Sequence, residues 1–127
     1  MAGEKRITLI EDDRFLSSLI KARLEKEGYI VTQGFDGEEA IKILRQSKPN
    51  LIVLDLIMPK VTGFEVLEAI SISPDLTGTP VVILSNLAQD SDVQKAKSLG
   101  ATEYFVKVRV SIDDVIKKVK NILSEQK

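Results

Sequence analysis

Four stretches of the 127-residue chain carry side chains able to do chemistry, and each directly follows a short apolar run. Ile7-Thr8-Leu9-Ile10 leads into Glu11-Asp12-Asp13, and Leu51-Ile52-Val53-Leu54 into Asp55. Val81-Val82-Ile83-Leu84 leads into Ser85-Asn86, and Tyr104-Phe105-Val106 into Lys107. Taken singly, each has an ordinary structural use: an acidic triplet caps a helix, as Asp13 is expected to do, and a lone aspartate or serine closes a turn. Brought to one place, they make a reactive pocket. Carboxylates a few ångströms apart repel by roughly 1–4 kcal/mol per pair, so they stay ionised together only around a cation. With no histidine and no cysteine in the chain, the donors are all oxygen, which selects a hard ion, Mg²⁺ or Mn²⁺. In such a pocket an aspartate can attack phosphorus to give an aspartyl phosphate, while a metal and a lysine neutralise the phosphoryl oxygens.

Whether they meet depends on the elements between them. With Tyr29-Ile30-Val31, the apolar runs make five strand candidates, three of them apolar throughout, as parallel strands covered on both faces require. Between them the apolar period lengthens. Phe15, Leu16, Leu19, Ile20 and Leu24 form one helical stripe, and Ala40, Ile41 and Leu44 a shorter one. Ile112, Val115, Ile116, Val119, Ile122 and Leu123 form another, with weaker helical segments near Phe64 to Ile70 and Val93 to Leu99. Gly28 and Gly100 stand where helices end, and Pro49 and Pro80 just before strands. Five successive βα units imply a doubly wound α/β fold with right-handed crossovers and helices on both faces of a parallel sheet. Ligands of such folds bind beyond the carboxyl ends of the strands, where the reactive residues fall.

Composition narrows the function classes. A net charge of −1 argues against direct nucleic-acid binding, and the lack of cysteine excludes disulfides and thiolate metal sites. No apolar run approaches the roughly 20 residues of a membrane helix, so the expectation is a cytoplasmic protein without membrane insertion. The length suits one domain over residues 1–127, with a core from about residue 6 to 124.

The ordered set Ile10-Glu11-Asp12-Asp13, Val53-Leu54-Asp55-Leu56-Ile57-Met58-Pro59 with Gly63, Pro80 to Ser85, and Gly100 to Lys107 resembles a receiver domain of two-component signalling. The resemblance covers nearly the whole chain. It implies a flavodoxin-like (βα)5 fold with strand order 2-1-3-4-5 and Asp55 as phosphoacceptor. It also implies cation binding by Asp12, by Glu11 through water, by Asp55 and by the backbone carbonyl of Ile57. Lys107 would bind a phosphoryl oxygen, Ser85 would swing toward the phosphate, and the Tyr104 rotamer would follow. The implied donor is a histidine kinase or phosphotransfer protein. The sequence ends soon after the fifth helix, so no output domain is expected there. If this is the whole protein, the expected output is a protein target on the face of the fourth helix, fifth strand and fifth helix; if it is an excised fragment, the output is open. The chain would take part in its own phosphorylation and slow dephosphorylation without being an enzyme in the usual sense.

The sequence departs from the family pattern at two places. Val108 follows Lys107 where a proline with a cis bond is common, so the bond is either trans with a rearranged loop or strained. Asn86 replaces a very small residue, and either narrows access or caps the next helix. Three rivals are weaker. A haloacid-dehalogenase-like phosphatase needs a second aspartate where Ile57 stands, and a flavodoxin-like flavin site would be repelled by Glu11-Asp12-Asp13. No glycine-rich nucleotide loop is present. The remaining alternative is a receiver fold acting through constitutive contacts without phosphate.

Overall fold

In a computed structural model that describes residues 4–126, five parallel strands alternate with five α-helices. They run β1 (Arg6–Ile10), α1 (Arg14–Lys26), β2 (Ile30–Gly34), α2 (Gly37–Gln46), β3 (Leu51–Leu54) and α3 (Gly63–Ile72). β4 (Val81–Ser85), α4 (Asp90–Ser98), β5 (Glu103–Val106) and α5 (Ile112–Ser124) follow, with a 3₁₀ turn over Lys107–Arg109 before α5. The sheet order is β2-β1-β3-β4-β5, the doubly wound arrangement expected from the sequence. Among the described residues, no helix is long and apolar enough to cross a membrane.

Strand periodicity divides the core in two. Ile52, Leu54 and Ile83 point to the face covered by α2, α3 and α4, where Ala40, Leu44, Val66, Leu67, Ile70 and Ala96 pack. Leu51, Val53, Val82 and Leu84 point to the other face, against Ile20 and Leu24 of α1 and Val115, Ile116, Val119 and Leu123 of α5. Burial on both faces is why the central strands read as unbroken apolar runs. The edge strands read less clearly. β2 extends through Thr32, Gln33 and Gly34, beyond the run that ends at Val31, because half of it faces solvent.

Helix starts are fixed by side-chain caps. Asp13 accepts from the Leu16 N–H at 3.1 Å and Asp36 from the Glu39 N–H at 2.8 Å. Thr62 and Ser111 do the same for α3 and α5. Each such cap contributes about 1 kcal/mol. Gly28 and Gly100 take φ of 97° and 105° past the ends of α1 and α4, a region where a side chain would be strained. Asn86 caps nothing; α4 begins after Gln89, without a side-chain cap.

The start of α3 bears on the site. A Cβ at Gly63 would lie 2.2 Å from the Asp55 carbonyl oxygen and 2.4 Å from Leu56 Cα, while the Gly63 N–H donates to the Leu56 carbonyl at 3.0 Å. Glycine is needed here for space, and backbone atoms cannot yield as a side-chain tip would. Gly63→Ala should therefore destabilise by about 2–4 kcal/mol through backbone displacement at Asp55. Chemical denaturation checks this, and a loss below about 0.5 kcal/mol would contradict the packing described.

Candidate functional site

Parallel register brings the reactive residues together. Ile10 pairs with Leu54 across β1 and β3, so Glu11 and Asp55, the next residue on each strand, emerge side by side. The Asp55 N–H donates to the Ile10 carbonyl at 3.0 Å. Ser85 pairs with Val106, which places Lys107 one step beyond β5. β5 lies two strands from β3, about 10 Å away at the usual spacing, and only a long side chain can span that gap. Lys107 does so, passing the end of β4, where the small Ser85 leaves room.

The Lys107 Nζ lies 2.9 Å from Asp55 Oδ2, 2.8 Å from Glu11 Oε1 and 3.0 Å from Glu11 Oε2. Glu11 and Asp55 are almost fully buried. The other Asp55 oxygen, Oδ1, accepts from the Ile57 N–H at 3.1 Å, and Glu11 Oε2 also accepts from the Asp13 N–H at 3.0 Å. Glu11 Oε1 is close to the ammonium in charge terms but makes no hydrogen bond. The sequence suggested that clustered carboxylates need a metal between them; a protein cation already bridges two of them here.

Asp12 completes the cluster from an exposed position. One oxygen from each of Glu11, Asp12 and Asp55 lies within 4.8 Å of the others. The donors are all carboxylate oxygens, so the set fits a hard divalent ion.

Burial pushes the Glu11 carboxyl up to about 7; the hydrogen bond from Lys107 opposes this and the Asp55 charge adds to it. Burial disfavours the Lys107 ammonium, but its bonds to Glu11 and Asp55 outweigh that and raise its pKa above the usual value.

Beside the carboxylates, the Leu87 peptide unit joins the two remaining candidates. Its N–H donates to Ser85 Oγ at 3.3 Å, and its carbonyl accepts from the Tyr104 hydroxyl at 2.7 Å. Burial, and secondarily the charges of Asp92 and Asp55, raise the Tyr104 pKa, keeping the hydroxyl a donor. The backbone role of Leu87 has no side-chain signature in the sequence. Ile57 is half exposed at the rim, and no cis peptide occurs among the described residues, so the Lys107–Val108 bond is trans and the loop winds into its 3₁₀ turn.

A family model described as the response regulator receiver domain matches residues 7–120. The uncharacterized transcriptional regulatory protein YcbL of Bacillus subtilis is 38% identical over 101 residues, covering 78% of this chain and 42% of that protein. The DNA-binding dual master transcriptional regulator RpaA of Synechocystis is 34% identical over 118 residues, covering 93% of this chain and 48% of that one. The chain thus spans under half the length of these two relatives. Among solved structures, the phosphorylated cyanobacterial phytochrome response regulator RcpA is 34% identical with a TM-score of 0.82, covering 94% of this chain and 91% of its own. The Francisella response regulator 1452 receiver domain is 28% identical with a TM-score of 0.88, covering 98% of this chain and all of its own.

The raised Glu11 value carries a sign. Between pH 4.5 and about 7 the folded state holds a proton that the unfolded state has released, so metal-free protein loses stability as pH rises through that window. In EDTA, Glu11→Gln should match wild type near pH 5 and exceed it by about 1–3 kcal/mol near pH 8. Denaturation at the two pH values measures this, and a difference that does not change with pH would contradict the burial of an ionisable Glu11.

Proposed function

The chain belongs to the response regulator receiver family, and from that premise we propose that Asp55 is its phosphoacceptor and that phosphorylation switches its protein-binding face. The observation that carries this reading is the buried Asp55 carboxylate, with Lys107 2.9 Å away and two further carboxylates within 4.8 Å. Glu11, Asp12 and Asp55, with the Ile57 carbonyl, would hold Mg²⁺ or Mn²⁺, which when bound would withdraw charge from phosphoryl oxygens as a Lewis acid.

The residues then divide the work. An Asp55 oxygen forms a bond to phosphorus as the donor's bond to phosphorus breaks, and the electron pair departs with the donor. The donor class is a phosphohistidine on a kinase or phosphotransfer protein. Lys107, already beside Asp55 Oδ2, pairs with a phosphoryl oxygen as negative charge moves outward from the carboxylate. The Ile57 N–H keeps the carboxylate oriented through Oδ1.

The bonds at Leu87 support a route from site to surface. If the Ser85 hydroxyl rotates toward a phosphoryl oxygen, it releases the Leu87 N–H, and the same peptide unit holds Tyr104. Tyr104 lies on β5, and Leu87 lies in the segment leading to α4, so the α4–β5–α5 face is the natural docking surface for a downstream protein. Residues 1–127 would act in this as one receiver unit.

Two expectations follow from these roles. With acetyl phosphate and Mg²⁺, wild type should gain one phosphoryl group by intact mass and Asp55→Asn none; label mapped to another residue in the variant would contradict the assignment. By their positions in the receiver family, Ile57 and Leu87 would flank the approach of a hydrolytic water, and neither side chain can hydrogen-bond it, so the acyl phosphate should be long-lived. Combining Ile57→Asn with Leu87→Glu should speed its decay about ten-fold or more, roughly 1.4 kcal/mol of barrier. Equal decay of wild type and double variant would show that these side chains do not set the lifetime.

A further inference from the structure

Arg14 occupies a place that helix energetics disfavours. It is the first residue of α1, after the Asp13 cap, and no acidic residue balances it in that turn. A cation there opposes the helix macrodipole. Nor does a salt bridge hold it: none of the ion pairs among the described residues includes Arg14, although Asp12 and Asp13 precede it directly. Its guanidinium carbon instead lies 4.0 Å from the centroid of the Phe35 ring.

Phe35 fixes where that charge sits. The residue before it, Gly34, pairs with Ile10, and the Gly34 carbonyl accepts from the Glu11 N–H at 3.1 Å. Phe35 therefore leaves β2 at the same sheet edge where Glu11 leaves β1. The Phe35 backbone is itself tied down, since its N–H donates to Glu39 Oε1 at 3.0 Å. Stacking on the Phe35 ring favours one place for the guanidinium while leaving its five N–H donors available to an incoming group.

The pocket gives that charge a use. Three carboxylates face one ammonium, and a bound divalent cation would only bring that count to neutral, so the pocket itself offers an incoming anionic phosphoryl donor no net attraction. We propose that Arg14, held by the Phe35 ring, recruits the anionic phosphoryl donor to the Asp55 pocket. This rests on the reading of Asp55 as phosphoacceptor. Arg14 takes no part in the transfer, in which the Asp55 oxygen bonds to phosphorus and acetate, for acetyl phosphate, leaves with the electron pair. It is a positioning residue that acts on encounter.

The test follows phosphorylation of the whole chain by acetyl phosphate with saturating Mg²⁺, using intact mass, at low and high ionic strength. Arg14→Met keeps the apolar stem on Phe35 and removes the charge, whereas Arg14→Lys keeps a charge. At low salt the second-order rate constant for Arg14→Met should fall about three- to ten-fold, and the gap should close above about 0.5 M salt. Arg14→Lys should stay within about two-fold of wild type, as expected if charge is what matters. Decay of the acyl phosphate should be the same in all three proteins, because the attacking water is neutral. Equal low-salt rates for Arg14→Met and wild type, or a deficit that high salt leaves intact, would overturn the proposal. A wild-type chain that takes up no phosphoryl group would count against the Asp55 reading instead.

Discussion

The ammonium of Lys107, set between Glu11 and Asp55, is the interaction on which the rest of the site depends. Two carboxylates buried this close would repel by roughly 3 kcal/mol at an effective dielectric of about 20. One cation in contact with both makes the arrangement tolerable, and burial, with the Asp55 charge a smaller contribution, still pushes the Glu11 carboxyl up to about 7. The metal-free pocket is thus held together but still short of positive charge. That shortage is what a divalent cation would relieve under the proposed function.

The sheet makes the contact possible by arithmetic. Asp55 and Glu11 follow paired residues on adjacent parallel strands, so the register alone sets them side by side. Lys107 has to cross β4, and only the small buried Ser85 stands at that crossing. The same serine and Tyr104 both bond to the Leu87 peptide, which ties the end of β4 to β5. Gly63 lets the loop after Asp55 return close enough to start α3. Each of these is a size or reach requirement that follows from backbone geometry.

Much of this is legible in the sequence for a physical reason. Strands buried on both faces must be apolar throughout, so Leu51–Leu54 and Val81–Leu84 stand out, and the polar residue that ends each run marks the reactive edge. What the sequence hides is set by exposure or by backbone. β2 continues into Thr32 and Gln33 because an edge strand needs apolar residues on one side only. α4 starts earlier than its apolar residues suggest, since Ala96 alone is fully buried within it. The anchor of Tyr104 is a carbonyl, and carbonyls belong to every residue. The Lys107–Glu11 and Arg14–Phe35 contacts join distant segments, and no local pattern announces them.

The most direct test of the central claim is an amide NMR titration with beryllofluoride, a non-covalent stand-in for the phosphoryl group, in the presence and absence of Mg²⁺. A Mg²⁺-dependent, saturable response is predicted at Glu11 to Asp13 and Asp55 to Met58, extending through Ser85 and Leu87 to Tyr104 and Lys107. Spectra that stay unchanged with both additions present would contradict it and favour a receiver fold that works without phosphate.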